Sequence, residues 1–272
     1  MKTKLSLFIL TILVGLMSYL GFQAHTHAKL HEAYRFELAA QQKLETLTEH
    51  QALEFLEDIS LGLYKSKKKM GIKEIETNSA FHQRAALEYT VAAVVVLLLV
   101  LLSYLFVSLQ LFSFVAGVSA FIMLTVGLGT PIMMVTIHKK VEYIGDVVLS
   151  FESKGVLGSI EKLWEGGETG IALVILLFSV VVPMSKTLFL LFVTLVAQSA
   201  FAHSVVKFFK VLGKWSMLDV FVVATFLVYL TSNSSDVSRA EVQVGLYFFL
   251  CYVMVSMLVS LSVDKLLERV KA

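Results

Sequence analysis

Residues 89–137 read YTVAAVVVLLLVLLSYLFVSLQLFSFVAGVSAFIMLTVGLGTPIMMVTI, and none of these 49 residues carries a charge. An α-helix rises about 1.5 Å per residue, so a single helix of this length would measure about 73 Å. The hydrocarbon core of a bilayer is only about 30 Å thick. The segment must therefore fold back on itself as two membrane spans. Gln110, near its midpoint, is predicted to mark the tip of the hairpin.

The composition of the whole chain agrees with a membrane protein. Of 272 residues, 57% are hydrophobic and 16% are charged, whereas soluble domains have about 45–50% apolar and about 25% charged residues. The net charge of +2 is small and no domain is strongly basic, which excludes a nucleic-acid-binding protein. Cys251 is the single cysteine, so the chain has neither an intrachain disulfide nor a cysteine-built zinc site.

Six apolar stretches predict an all-α integral membrane protein with about six transmembrane helices. Each stretch is continuous and lacks the alternation of a barrel strand, so the spans are helices. The predicted spans are residues 5–22, 89–110, 111–137, 170–196, 216–230 and 242–263.

The basic residues predict the orientation of these spans. Positive charges concentrate on the cytoplasmic side of membrane proteins. With six spans, the basic residues at the two chain ends and those between the fourth and fifth spans fall on one side, so both chain ends are predicted to be cytoplasmic. These residues are Lys2, Lys4, Lys207, Lys210, Lys214, Lys265, Arg269 and Lys271. Five lysines between positions 65 and 73 fall on the other side, in a segment of more than 60 residues, and such long segments largely escape this rule. Alternatively, residues 5–22 are a signal peptide that is cleaved, which would leave five spans.

Two segments outside the predicted spans show periodic patterns. Residues 49–63 place apolar side chains on one helical face, which predicts a helical arm within the outer segment 23–88. Residues 141–151 alternate between apolar and polar side chains, which predicts a half-buried strand in the loop before the fourth span. That loop is expected to form a small structured cap that contains β-structure.

Three histidines, His25, His27 and His31, lie close together in the outer segment. Imidazoles at this spacing can bind a divalent metal, but no carboxylate or cysteine completes a ligand set. They are therefore interpreted as solvated histidines, and no metal site and no cofactor is predicted.

Lys186 is the only ionisable residue between positions 171 and 196, inside the predicted fourth span. A charge at the middle of a span costs about 2.5–3.5 kcal/mol even on lenient insertion scales, so it is expected to face other helices or water. Asp219, near the start of the fifth span, is the acidic residue that could form an ion pair with Lys186 within the bilayer. Pro183 removes a backbone hydrogen bond to Ser179 and is expected to open the helix one turn before the lysine.

Two interpretations of these residues remain open. Lys186 and Asp219 could form a structural ion pair that holds two helices together. They could instead form a functional polar centre, together with Ser179, Pro183 and Ser216. Trp215 is expected to anchor the fifth span at the membrane interface. The spacing of residues suggests no catalytic set, so the chain is not expected to be an enzyme.

Residues 178–186 (FSVVVPMSK) and residues 213–224 (GKWSMLDVFVVA) resemble the paraquat-inducible protein A family. Residues 163–167 (LWEGG) and 245–248 (GLYF) fit the same resemblance, which covers about residues 112–263. It implies a four-helix membrane unit over residues 111–263. Better-known members carry two such units and cysteine-rich zinc ribbons, whereas this chain has one unit and no ribbon.

The resemblance also implies a function and a location. Members of the family work beside mammalian-cell-entry (MCE) domain proteins in moving lipids between bacterial membranes. The chain is therefore expected to be an inner-membrane component of phospholipid-like transport that contacts membrane lipids and an MCE-domain partner. The alternative is a non-transporting sensor or scaffold that binds a partner through residues 23–88, and an ion-coupled carrier is a third option. The expected organisation is a signal anchor (1–22), an outer segment (23–88), a second span (89–110), the four-helix unit (111–263) and a cytoplasmic tail (264–272).

Overall fold

A computed structural model of the chain describes residues 2–41, 67–141, 145–195 and 238–271. Within these ranges, five helices are long and apolar enough to cross a membrane: Lys4–Ala39, Lys73–Leu105, Leu109–Gly129, Thr169–Leu195 and Val244–Glu268. The chain is thus an all-α multi-pass membrane protein, as the sequence predicts. The predicted fifth span (216–230) and the amphipathic stripe (49–63) lie outside the described residues.

The first two helices form an antiparallel pair, which we call the N-terminal hairpin. Helix α1 (Lys2–Gln41) has 40 residues and α2 (Lys67–Leu102) has 36. At 1.5 Å per residue, α1 is about 60 Å long, twice the thickness of a hydrocarbon core. The helices continue without a break past residues 22 and 88. The described parts of the outer segment are therefore helical extensions of the two spans.

The predicted fold-back of residues 89–137 is confirmed. A single turn of 3₁₀ helix (Ser103–Leu105) ends α2, and α3 (Leu109–Gly129) then runs back. Ser108 caps α3, and its hydroxyl accepts a hydrogen bond from the backbone N–H of Leu111 at 3.4 Å. The turn precedes Gln110, which lies in the first turn of α3 and donates from Nε2 to the carbonyl of Thr194 at 3.2 Å.

A small antiparallel sheet covers one end of the bundle, which we call the sheet end. Its strands are β1 (Met133–Val141), β2 (Gly145–Lys154) and β3 (Ser238–Val242), in the order β2-β1-β3. The predicted β-containing loop is therefore confirmed. However, the alternation at 141–151 does not form one strand, because Val141 ends β1 and Gly145 begins β2. Val141 pairs with Gly145, and the last two positions of the pattern, Ser150 and Phe151, pair with Ile137 and Thr136 of β1.

A short helix leads from the sheet back into the bundle. Helix α4 (Val156–Glu165) begins after Gly155 and ends at Gly166. Gly167 has a φ of +82°, a left-handed conformation that favours glycine, and it reverses the chain into the next span. That span consists of α5 (Thr169–Ile175), a π-helical segment (Leu176–Val181) and α6 (Val182–Leu195).

The last helix, α7 (Val244–Lys271), packs closely on α3. A Cβ atom on Gly127 would lie 2.9 Å from the backbone nitrogen of Phe249, and one on Gly245 would lie 2.6 Å from the carbonyl oxygen of Pro131. These two glycines therefore permit the close approach of the two helices. All five long helices contribute to one apolar core, with Met17, Leu97, Met123, Val193 and Phe248 among its members.

Candidate functional site

The break in the α5–α6 span lies immediately before Pro183. Proline has no backbone N–H, so it cannot donate to the carbonyl of Ser179 as a residue in a regular α-helix would. The residues before it adopt a π-helical turn, in which the N–H of Val182 donates to the carbonyl of Leu177, five residues back. Such single π turns inside α-helices are frequent at functional sites.

The carbonyl of Pro183 is the centre of a buried polar cluster. The hydroxyl of Thr187 donates to it at 2.9 Å, and the phenol of Tyr252 on α7 donates to it at 3.2 Å. The two hydroxyl oxygens are 3.4 Å apart. Thr187 and Tyr252 are 2% and 1% exposed, so the cluster is shielded from the surroundings of the bundle. Tyr252 thereby links α7 to the α5–α6 span next to the segment in which the backbone hydrogen bonding of that span is irregular.

Lys186 lies next to this cluster in α6 and is half-buried. It stands about 14 Å along the helix from Leu195, well inside the apolar span. An ammonium group offers three hydrogen-bond donors, whereas the hydroxyls of Thr187 and Tyr252 already donate their protons to the carbonyl of Pro183. A cation binds phosphate or carboxylate oxygens. The group in this region that can bind an anion within the membrane is therefore the ammonium of Lys186.

The structure places three of the predicted site residues together. Ser179 is half-buried in the π-helical segment, Pro183 is buried, and Lys186 follows one turn later. Trp215, Ser216 and Asp219 lie outside the described residues. The pairing of Lys186 with Asp219 stays a prediction.

Sequence reasoning missed Thr187 and Tyr252. Thr187 is four residues after Pro183, where a threonine hydroxyl can reach the carbonyl one turn back, so its role has a local signal. Tyr252 has only a general signal, a phenol within an apolar run, because buried tyrosine hydroxyls usually have a hydrogen-bond partner. Nothing in the sequence identifies Pro183, 69 positions away, as that partner.

A second polar cluster occupies the sheet end, where the three histidines of α1 contact other elements. His25 contacts the hydroxyl of Thr130 at 3.0 Å, and the Nδ1 atoms of His27 and His82 are 2.7 Å apart. The interpretation as a solvated histidine is wrong for His31, which is buried, whereas His25 and His27 are half-buried and also form tertiary contacts. His31 is the most buried, at 3% exposed.

His31 and the paired imidazoles also fix the N-terminal hairpin internally. The Nδ1 atom of His31 donates to the backbone carbonyl of Ser79 on α2 at 2.9 Å. The ring of His27 stacks on Tyr89, and the ring of His82 stacks on Tyr34, both with centroids 5.5 Å apart. The histidines are thus part of the packing between α1 and α2.

A comparison with protein-family models agrees with the resemblance seen in the sequence. The family profile of paraquat-inducible protein A matches residues 113–267, more than half of the chain. The match includes most of α3, the sheet, the broken span and nearly all of α7, and it excludes the whole N-terminal hairpin. No curated protein matches the chain. No solved structure matches it either. On the strength of the profile match, this chain belongs to the paraquat-inducible protein A family.

Proposed function

We propose that this protein is a component of a transport system that moves phospholipid-like molecules across the bacterial envelope. The observation that carries the proposal is the polar site at the break of the α5–α6 span. There Lys186 directly precedes Thr187 in an otherwise apolar span, and the hydroxyls of Thr187 and Tyr252 donate to the carbonyl of Pro183. Membership of the paraquat-inducible protein A family supports the same function.

The chemistry of the site suggests how a lipid would be held. A phospholipid has an anionic phosphate and apolar tails. The ammonium of Lys186 would attract the phosphate, and the exposed apolar side chains of the same span, among them Leu188 and Phe192, would contact the tails. Reorientation of the span at the π-helical turn would move the bound headgroup relative to α7. The proposal assigns no catalytic reaction to the chain.

We place the protein in the bacterial inner membrane, with both chain ends in the cytoplasm and the sheet end in the periplasm. The predicted basic residues outside the spans support this orientation. The sheet and the projecting part of the N-terminal hairpin would then be available to an MCE-domain partner. Because phospholipids are insoluble in water, such a partner would carry them onward from the membrane.

Substitution of Lys186 tests the proposal. In cells that lack the native protein, we expect Lys186→Ala to abolish phospholipid transfer while membrane levels of the protein stay near wild type. Lys186→Arg keeps the cation and should retain part of the transfer. Lys265→Ala, which removes an exposed lysine of α7, is the matched control and should behave like wild type. Loss of folded Lys186→Ala protein from the membrane would instead favour a structural ion pair.

A charge exchange tests whether Lys186 and Asp219 meet. Lys186→Asp and Asp219→Lys should each abolish transfer, and the double variant should recover it if the two side chains pair directly. Failure of the double variant to recover transfer while it is present at normal levels counts against direct pairing.

The amount of phospholipid that copurifies with the full chain, quantified by mass spectrometry, should fall with Lys186→Ala and not with Lys265→Ala.

A scaffold or sensor is the second candidate function. It is favoured by the projecting part of the N-terminal hairpin, where Phe36 and Phe81 are 45% and 61% exposed. Large apolar side chains outside the membrane commonly bind other proteins. Replacement of both by serine should abolish function under this alternative even though Lys186 is intact. If Lys186→Ala keeps full function and the double serine variant loses it, the scaffold is favoured over the transporter.

A further inference from the structure

A small cavity lies where the N-terminal hairpin meets the start of α7. His31 of α1, Gln83 of α2 and Gln243, between β3 and α7, are among the residues that line it. Its volume is about 20 Å³. Around it, Ala28, Ala86 and Val244 form an apolar cluster of buried side chains. Two further lining residues, Leu87 and Val242, are 41% and 42% exposed, so the cavity is a polar site at the edge of this packed junction.

His31 presents a hydrogen-bond acceptor at this junction. Its Nδ1 atom contacts both the backbone carbonyl of Ser79, at 2.9 Å, and the hydroxyl of Ser79, at 3.0 Å. A carbonyl can only accept, whereas a hydroxyl can accept as well as donate, so a proton on Nδ1 is the arrangement that suits both contacts. The proton of the neutral imidazole therefore resides on Nδ1, and Nε2 carries a lone pair. His31 is 97% buried, and within the described ranges Nε2 has no hydrogen-bond partner.

Gln243 presents a hydrogen-bond donor at the same cavity. Its backbone N–H donates to the carbonyl of Ile132 at 2.9 Å, which fixes the residue at the edge of the sheet. Its side chain is 95% buried, and the amide nitrogen Nε2 has no partner among the residues that the structure describes. An amide nitrogen only donates. One acceptor and one donor thus line a single cavity.

The size and chemistry of the cavity select its occupant. A cavity needs roughly 10–15 Å³ to hold one water molecule, so about 20 Å³ accommodates one. A water molecule can donate to His31 and accept from Gln243 at the same time. An ammonium ion cannot accept from the amide, and a chloride ion cannot donate to the neutral imidazole. Water therefore complements both groups, whereas these two ions do not.

We propose that this cavity binds a water molecule that bridges His31 Nε2 and Gln243 Nε2. The bridge joins α1, which lies outside the family match, to the first residues before α7, which lie inside it. It would fix the N-terminal hairpin to the family unit at the sheet end. This site is separate from the polar cluster around Pro183 and is independent of any lipid.

The melting temperature of the full chain in detergent tests the bridge. Gln243→Met keeps the length of the side chain and removes its hydrogen bonds. If water bridges the two groups, this variant should melt about 2–4 °C below wild type, because the water and His31 lose a partner. If the two atoms are simply unpaired, the variant should melt at or above the wild-type temperature, because it removes an unsatisfied buried amide. That result would overturn the proposal.

Gln83→Met is the matched control, since Gln83 lines the same cavity and is only half-buried. We expect its melting temperature to equal that of wild type. If Gln243→Met fails to fold, an experimental density map of the native chain decides whether the cavity holds a water molecule. A peak about 2.7–3.2 Å from both Nε2 atoms supports the bridge, and a map in which the cavity is empty or filled by a side chain refutes it.

Discussion

We expect the substitution Gly245→Ala, which adds one methyl group at the start of α7, to lower the stability of the protein. A Cβ atom there would lie 2.6 Å from the carbonyl oxygens of both Thr130 and Pro131. Ordinary contacts begin near 3.4 Å, so the backbone of α7 would have to move by about 0.8 Å away from α3. The neighbouring atoms are backbone oxygens and cannot rotate aside. The same movement would stretch the hydrogen bond from the N–H of Gly245 to the carbonyl of Pro131, which is 3.0 Å long.

The expected magnitude for Gly245→Ala follows from three contributions. Overpacking of a close contact costs about 1–3 kcal/mol. Weakening of a buried backbone hydrogen bond adds about 1 kcal/mol. Alanine recovers about 0.5–1 kcal/mol because it loses less conformational freedom in a helix than glycine does. The free energy of unfolding should therefore fall by about 2 kcal/mol, equivalent to about 4–8 °C in melting temperature for a chain of this size.

The matched control is Gly15→Ala in α1, where a Cβ atom would meet nothing within 4 Å. This variant should equal or exceed wild type in melting temperature, because only the gain in helix propensity operates. Both variants and wild type are purified in the same detergent, and the folded fraction is followed by size-exclusion chromatography after heating. A Gly245→Ala protein that melts at or above the wild-type temperature would refute the close approach of α7 to the end of α3.

Two further predictions concern the sheet end. Trp164 on α4 is 55% exposed and Leu157 on the same helix is 48% exposed, so we expect this helix to lie at the membrane interface. In a Trp215→Phe background, brominated lipids should quench the fluorescence of Trp164, and emission unaffected by those lipids would contradict this placement. The Nδ1 atoms of His27 and His82 are 2.7 Å apart, and a hydrogen bond between them requires one ring to be neutral. Acidification from about pH 7.5 to about pH 5.5 should therefore lower the melting temperature of wild type more than that of His82→Gln. Equal decreases in both proteins would argue against the pair.

The sequence predicted the features that depend on local chemistry. The uncharged run at 89–137 requires a fold-back, and the structure turns at Ser103–Leu105. Pro183 removes a backbone donor, and the π-helical segment lies directly before it. Both inferences rest on properties of a residue and its immediate neighbours, which do not change with the tertiary structure.

Features that depend on distant partners were not predictable in this way. His25 and His31 were interpreted as solvated because their contacts, Thr130 and Ser79, come from elsewhere in the chain. The alternation at 141–151 was interpreted as one strand because its pattern continues on both sides of a reversal. The role of Tyr252 depends on the packing of α7 against the broken span. In each case the deciding partner is fixed by tertiary structure alone.

The joint between the sheet and the helices has a mechanical consequence. Strands β1 and β3 pair directly, and their hydrogen bonding continues through Gln243 and Gly245 into the first turn of α7. This joint holds α3 and α7 together at the sheet end. Any separation of the two helices must therefore widen toward the opposite end. The π-helical segment interrupts the regular α-helical hydrogen bonding of the neighbouring span part-way along its length.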